Sequence, residues 1–148
     1  MKYYDYHFSV PMHHVDHAGV LFYANLFLHA HDAWEHFMRS QDADLAQLIG
    51  AGQWRVPIVH AEADYMQAMR HGDELDIRLQ IEHLGRSSIR VIYIFVDQDG
   101  EQLAVARTTH VFVDAVTHHS AEIPDDLRVS LQQYSTNRSS STIQNTKI

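Results

Sequence analysis

The sequence contains no cysteine, and this absence excludes several kinds of chemistry. Without thiols the chain can form no disulfide, no thiolate nucleophile and no cysteine-ligated metal site. It also lacks a run of 18 apolar residues, so a membrane-spanning helix is not expected. The first ten residues, MKYYDYHFSV, alternate tyrosine with polar residues and lack the apolar core of a signal peptide. These features are typical of a cytoplasmic protein.

Positive charge is also scarce. The chain carries 11 Lys and Arg residues against 19 Asp and Glu residues, which gives a net charge of −8 with neutral histidines. This balance argues against nucleic acid or an anionic membrane as a partner, although a small phosphate-bearing ligand needs only a few local cations. With 148 residues, 45% of them hydrophobic, the chain is long enough for one domain with a substantial core. We expect that domain over residues 1–134, followed by a polar, serine-rich and disordered tail over 135–148.

A long apolar stripe indicates the main helix. It consists of Phe27, His31, Trp34 and Met38. This spacing predicts a helix from about Leu21 to Arg39, with Trp34 and Phe37 facing the core. A short second helix is predicted over residues 42–49 with Asp42 as its cap, and another after Pro124.

Alternating residues predict five strands, over residues 2–10, 56–66, 73–83, 88–96 and 102–114. The fourth is apolar on both faces, which favours a central position or a subunit contact. In the second, the expected inward face holds His60, Glu62 and Asp64, which is unusual for a core strand. The fold class is therefore α+β, with an antiparallel sheet of about five strands covered by one long helix.

Asp16 lies in a polar loop between the first strand and the predicted helix. The free amides and the dipole at the start of a helix can meet a developing negative charge. Acyl-transfer chemistry needs these two components, a carboxylate that attacks or activates water and donors that receive the oxyanion. The position alone is also that of an ordinary capping or turn residue.

Three segments carry a family resemblance. Residues 16–25, DHAGVLFYAN, resemble the signature of hotdog-fold acyl-CoA thioesterases, in particular the 4-hydroxybenzoyl-CoA thioesterase group, which includes 1,4-dihydroxy-2-naphthoyl-CoA hydrolases. Residues 57–65, PIVHAEADY, with GDEL at 72–75, and residues 85–88, GRSS, match in the same order. The resemblance implies a hotdog fold, with the sheet wrapped around one central helix. It also implies hydrolysis of an acyl-CoA thioester to the free acid and CoA.

The resemblance also implies roles for individual residues. Asp16 would be the catalytic carboxylate, as nucleophile or general base, and the backbone N–H of Tyr23 would polarise the thioester oxygen. Gly19 would allow close approach of the substrate to the backbone. Asn25 would fix the loop, and His60 would lie near the acyl pocket. The segment that meets CoA, through charge and hydroxyl groups, would be Arg86, Ser87 and Ser88.

Partners and cofactors follow from the same resemblance. CoA or an acyl-carrier protein would carry the acyl group, no further cofactor would be needed, and the protein would form a homo-oligomer, a dimer or a tetramer with its sites at subunit interfaces. No H-E-x-x-H pattern is present, and no metal is expected.

Two histidines depart from the family pattern. His14 stands where many members carry an acid, and His17 follows Asp16 where proline is common. Because they could border the acyl pocket, the acyl group, aromatic or aliphatic, stays open. Two other functions also stay open: a hotdog module that binds acyl-CoA or acyl-carrier protein without hydrolysis, and a hydratase.

Overall fold

Five antiparallel strands form the main sheet of the protein, whose computed structural model describes residues 2–136. They are β1 (Tyr4–Ser9), β3 (Ile58–Tyr65), β4 (Glu74–Leu84), β5 (Ser88–Val96) and β6 (Gln102–Val111). Their order across the sheet is β1-β4-β5-β6-β3, so β5 is central and β1 and β3 are the edges. A two-stranded sheet pairs β2 (Trp54–Arg55) with β7 (Val113–Asp114). The helices are α1 (Leu26–Ser40), α2 (Leu45–Gly50) and α3 (Asp125–Gln132).

Helix α1 lies against one face of the main sheet. Alternation over the first eight residues of β4 turns every second side chain to that face, and this buried set is Leu75, Ile77, Leu79 and Ile81. From the helix, Trp34 and Phe37 enter the same core and are fully buried. The predicted α+β architecture, with about five antiparallel strands around one long helix, is confirmed.

The predicted start of the long helix was wrong. Helix α1 begins five residues later than Leu21. The amides of Leu21 and Phe22 instead donate to the carbonyl oxygens of Met69 and His14, at 2.7 and 3.0 Å. These bonds hold both residues in an extended segment, and a 3₁₀ turn, Tyr23–Asn25, leads into α1.

The predicted cap of the second helix was also wrong. Asp44 precedes α2, and its carboxylate accepts hydrogen bonds from the amides of Ala46 and Gln47. Asp42 lies two residues earlier in a left-handed conformation with a φ of 56°. It therefore belongs to the turn that ends α1.

Strand β3 does not have the inward polar face that the sequence predicted. It is an edge strand, and His60 and Asp64 are exposed. Glu62 is half-buried and accepts a hydrogen bond from Arg90 at 3.0 Å, on the face of the sheet opposite α1. An edge position explains how a strand can carry these charges without burying them.

The end of the described chain lies against β4. Ser135 forms a parallel bridge with Ile81, and the amide of Thr136 donates to the Ile81 carbonyl oxygen at 3.0 Å. The rest of the predicted tail, residues 137–148, lies outside the described residues. None of the helices within residues 2–136 has the length and apolar character needed to cross a membrane.

Candidate active site

The segment of residues 14–22, which we call the Asp16 loop, folds back on itself as a short hairpin. At its base the Phe22 amide donates to the His14 carbonyl oxygen at 3.0 Å. At its turn the Gly19 amide donates to the Asp16 carbonyl oxygen at 3.0 Å. Gly19 has a φ of 75°, a left-handed conformation that glycine adopts without strain. Glycine is therefore needed here for the turn that presents Asp16.

The carboxylate of Asp16 is held by the backbone of its own loop. Oδ1 accepts hydrogen bonds from the amides of Ala18 and Val20, at 2.9 and 3.2 Å. The residue is exposed, and within residues 2–136 the second oxygen, Oδ2, has no donor. One oxygen thus fixes the orientation of the group, and the other is free for a substrate or a water molecule.

Free amides follow the hairpin directly. The first amides of a helical segment have no acceptor within it. In the turn that precedes α1 these are the N–H groups of Tyr23 and Ala24, whereas the Asn25 amide already bonds to the Phe22 carbonyl oxygen at 2.9 Å. Since Phe22 pairs with the base of the Asp16 loop, the free amides and the carboxylate belong to one continuous unit.

Two side chains tie this unit together. Asn25 Nδ2 donates to the His14 carbonyl oxygen at 3.0 Å, which links the start of α1 to the Asp16 loop. The Tyr65 hydroxyl, at the end of β3, donates to the Tyr23 carbonyl oxygen. Burial raises the pKa of Tyr65, and the phenol therefore stays protonated as a donor.

A cleft lies beside the Asp16 loop. It has a volume of about 260 Å³, and its walls are formed by Val20, Leu21, Tyr65, Met66, Gln67, Ala68 and Met69. Most of this lining is apolar, as an acyl group requires. Tyr65 and Met66 are 45% and 51% exposed, so the cleft continues into an open apolar surface.

A histidine pair lies under the Asp16 loop. His14 Nδ1 and His29 Nε2 are 3.0 Å apart, and His29, in the second turn of α1, is 5% exposed. The His29 ring stacks on Phe8 of β1 with 4.2 Å between centroids. Burial, reinforced by the nearby charge of His14, lowers the pKa of His29 to about 4. His29 is therefore neutral near pH 7.

The remaining predicted site residues, His60 and the segment 86–88, lie away from the Asp16 loop in the same chain. The position of the segment 86–88 follows from strand β4. His71, just before β4, donates its amide to the Gly19 carbonyl oxygen at 3.3 Å, so the Asp16 loop adjoins the start of β4. The turn that carries Arg86, Ser87 and Ser88 follows the end of this 11-residue strand. At about 3.3 Å per residue the two ends are roughly 33 Å apart.

Arg86 and His60 each contact an acidic side chain. Arg86 forms an ion pair with Glu122 at 3.4 Å, and both side chains are exposed. His60, in the middle of β3, contacts Glu62 at 3.2 Å. The chain thus brings together Asp16, Gly19, Tyr23 and Asn25, and it leaves His60 and the segment 86–88 apart from them.

Sequence reasoning missed His29 and the methionines of the cleft. His29 lies on the buried stripe of α1, three residues after Leu26 and four before Ala33. A polar residue at an apolar position of a helix was the available signal. Within the described part of the chain, no group of three or more histidine, aspartate or glutamate residues is placed to hold a metal ion.

Comparison with known proteins identifies the family. The sequence profile of the thioesterase-like superfamily matches residues 10–131. The chain belongs to this superfamily. A 1,4-dihydroxy-2-naphthoyl-CoA hydrolase of Synechococcus elongatus is 33% identical over 131 residues, covering 86% of this chain and 96% of that protein.

Solved thioesterase structures share the fold. The 1,4-dihydroxy-2-naphthoyl-CoA thioesterase from Synechocystis superposes with a TM-score of 0.84 at 24% identity, covering 88% of this chain and 96% of that one. A gentisyl-coenzyme A thioesterase superposes with a TM-score of 0.77 at 27% identity, covering 87% and 99%. These comparisons confirm the predicted hotdog fold and the predicted activity, hydrolysis of an acyl-CoA thioester.

Proposed function

We propose that this thioesterase acts on an aromatic acyl-CoA of the 1,4-dihydroxy-2-naphthoyl type and uses Asp16 as its catalytic carboxylate. The name of the Synechococcus relative supports the acyl group. The observation that carries the catalytic role is the Asp16 carboxylate, oriented by two amides of a loop that leads directly into the turn with the free Tyr23 and Ala24 amides. The apolar cleft lined by Val20 and Leu21 of the same loop supplies room for an aromatic ring.

Each step of the reaction has a group to perform it. Hydrolysis joins a water oxygen to the thioester carbonyl carbon, breaks the C–S bond and protonates the CoA thiolate. Asp16 either attacks the carbonyl carbon, giving an anhydride that water opens, or takes a proton from the attacking water, and in both routes a proton of that water ends on the CoA thiolate. In both routes the thioester oxygen gains negative charge, and the Tyr23 N–H donates to it. Gly19 leaves space for the substrate, and Asn25 holds the loop in place.

The site is completed, in this proposal, by a second copy of the chain. Within residues 2–136 the outer edge of β3 has no neighbouring strand, and its Ile58 and Val59 are 44% and 61% exposed. An unpaired edge with exposed apolar residues favours strand pairing. Antiparallel pairing of two β3 edges sets the Tyr65 end of one strand beside the Ile58 end of the other. Val111 bonds to Pro57 at that second end and pairs with Ser88, so His60 and the segment 86–88 would come from the partner.

CoA enters as part of the substrate, and the proposed reaction needs no other cofactor. Arg86 would meet its phosphates, and Ser87 and Ser88 would contact the pantetheine arm. A cysteine-free chain acting on CoA thioesters suits the reducing cytoplasm, where we place the protein.

The test is a panel of thioester substrates with detection of the free thiol. We expect faster turnover of 1,4-dihydroxy-2-naphthoyl-CoA than of medium-chain and short-chain acyl-CoA. Asp16→Asn should lower kcat at least about a hundredfold, since it removes the carboxylate and keeps its size. Asp99→Asn, in the exposed turn before β6, is the matched control and should leave kcat unchanged.

Other outcomes contradict parts of this proposal. Tight binding of acyl-CoA without turnover by the native protein indicates a binding module instead. Addition of water to an enoyl-CoA indicates a hydratase. Full activity of a folded Asp16→Asn variant removes the assigned role of Asp16. Sedimentation of the native protein as a monomer at assay concentrations contradicts the shared site.

A further inference from the structure

We propose that His14 and His29 form a positioning pair that fixes the Asp16 loop on helix α1 and so sets the place of the carboxylate. This inference rests on the catalytic role of Asp16 in the proposed function. Neither histidine touches the substrate in this proposal. They act through the backbone of the loop, because His14 is only two residues before Asp16.

On the loop side, His14 carries three of the contacts that hold the hairpin. Its carbonyl oxygen accepts from the Phe22 amide and from Asn25 Nδ2, both at 3.0 Å. Its ring bonds to His29 and packs against the ring of His13, with 4.3 Å between centroids. The backbone contacts join the loop to the turn before α1, and the ring contact joins it to the helix body.

On the helix side, His29 is fixed by its surroundings. It is 5% exposed and stacked on Phe8 at 4.2 Å, and its ring position is therefore set by β1 as well as by α1. A buried polar nitrogen without a partner costs about 1–3 kcal/mol, which favours retention of the bond to His14. The pair thus transmits a rigid position from the core to the part of the loop that carries the exposed Asp16.

This position matters for catalysis because chemistry at a carboxylate depends on short distances. A displacement of about 1 Å can cost on the order of a hundredfold in rate. Without the ring contact the loop would keep its hairpin, the Asn25 bond and the backbone bonds of Leu21 and Gly19 to Met69 and His71, while its His14 end could shift relative to α1. The carboxylate would then move relative to the Tyr23 amide, although neither group is lost.

The protonation state of the pair is compatible with this role. An N–H···N bond needs one nitrogen without a proton, so it breaks only when both rings are charged. The groups that act on His29 are His14 and His13, which precede Asp16 in the chain, and Asp32 from α1, with Phe8 contributing only its ring. Burial and the two histidines lower the pKa of His29 to about 4, whereas Asp32 acts in the opposite direction. The bond therefore persists down to about pH 4, whatever the charge of His14.

The experiment compares His14→Ala with His14→Asn in steady-state assays of the full chain. Alanine removes the ring and the bond to His29. The asparagine amide reaches the position of Nδ1 and keeps that bond. We expect His14→Ala to lower kcat about 10–100-fold with KM changed less than about threefold, and His14→Asn to recover most of the loss.

A double variant separates positioning from general damage. Since His14 acts only through Asp16, adding His14→Ala to Asp16→Asn should lower the residual rate no further. A purely structural role would lower it again. If His14→Ala fails to fold, His14→Gln replaces it, because its amide lies one bond too far to reach His29 in the same geometry.

The outcomes distinguish the two proposals. An inactive Asp16→Asn together with an unchanged kcat for His14→Ala and His14→Gln overturns the positioning pair and leaves the proposed function intact. Further loss in the double variant also overturns the pair. An active Asp16→Asn overturns both, because the carboxylate then has no catalytic position to maintain.

Discussion

Two buried histidines lie between helix α1 and the sheet in similar surroundings, His29 on the helix and His110 on β6, but they connect to different parts of the molecule. His29 stacks on Phe8 at 4.2 Å, and His110 stacks on Trp34 at 4.4 Å. Burial lowers the pKa of His29 to about 4 and that of His110 to about 3. Both are therefore uncharged near neutral pH. The difference between them lies in the groups to which each ring is bonded.

The hydrogen-bond partner of His29 belongs to the Asp16 loop, whereas His110 bonds within the core. His110 Nε2 and Thr108 Oγ1 are 2.8 Å apart, and the same hydroxyl lies 2.8 Å from the Tyr93 hydroxyl. Burial sets the protonation state of both histidines. The group to which each ring is hydrogen-bonded decides what changes when that histidine is replaced. We expect that loss of the contacts around His110 changes stability alone, whereas loss of the contact between His29 and His14 changes turnover.

The largest expected effect on stability is at Trp34, in the core beside His110. Trp34→Ala removes a fully buried indole and should lower the free energy of unfolding by about 3–5 kcal/mol. Within residues 2–136 the indole N–H has no acceptor, so Trp34→Phe should lose much less. Urea unfolding measures both, with exposed Val116→Ala as the control expected within about 0.5 kcal/mol. A fall in kcat per folded molecule of Trp34→Phe would contradict the view that the core around His110 affects stability and not turnover.

Acid should destabilise the protein partly through His110. The folded state keeps this ring neutral to about pH 3, while the unfolded chain takes up a proton below about pH 6.5. Because the unfolded state binds more protons, stability is full above that value and falls as the pH drops. His110→Gln should therefore lose about 2–3 kcal/mol less than the native protein between pH 7 and 4.5.

Urea midpoints at several pH values test this difference. His119→Gln, at an exposed surface position, is the matched control and should follow the native protein. If the plots of urea midpoint against pH are parallel for His110→Gln and the native protein, His110 has the same pKa in the folded and unfolded states, and the prediction is wrong.

The smallest effect on stability is expected far from both histidines. Arg86→Gln breaks an exposed ion pair with Glu122 and should change the free energy of unfolding by less than about 0.5 kcal/mol. It should raise KM severalfold and leave kcat unchanged, because Arg86 is proposed to meet CoA phosphates rather than the reacting atoms. Arg55→Gln, also exposed, is the control. An unchanged KM would remove Arg86 from the proposed CoA site.

Sequence patterns predicted the strands well because their signal is local. From Leu75 to Ile81 of β4 every second residue is apolar, and this alternation decides which of these side chains face α1. The start of α1 could not be predicted in the same way. The predicted helix reached back to about Leu21, but the amides of Leu21 and Phe22 bond to Met69 and His14, and a pattern in one segment does not report such distant bonds.

In the candidate site, too, the features that lie within one segment could be predicted from the sequence, and the contacts between distant segments could not. The Asp16 loop is continuous in sequence, and a motif of ten residues contains its carboxylate, its glycine and its free amides. The histidine pair joins residues 15 positions apart, and nothing in the sequence marks His29 as the partner of His14. Likewise, the sequence places the segment 86–88 beside the Asp16 loop only through family resemblance, since one chain holds them at opposite ends of β4.

The strand order has a consequence for biosynthesis. Strand β3 is made early, yet its neighbour within the chain is β6, about 40 residues later. During translation β3 must therefore wait, without a pairing strand of its own chain, until β6 has left the ribosome. Such distant pairing slows folding and leaves a strand without its hydrogen-bonding neighbour accessible to chaperones in the meantime.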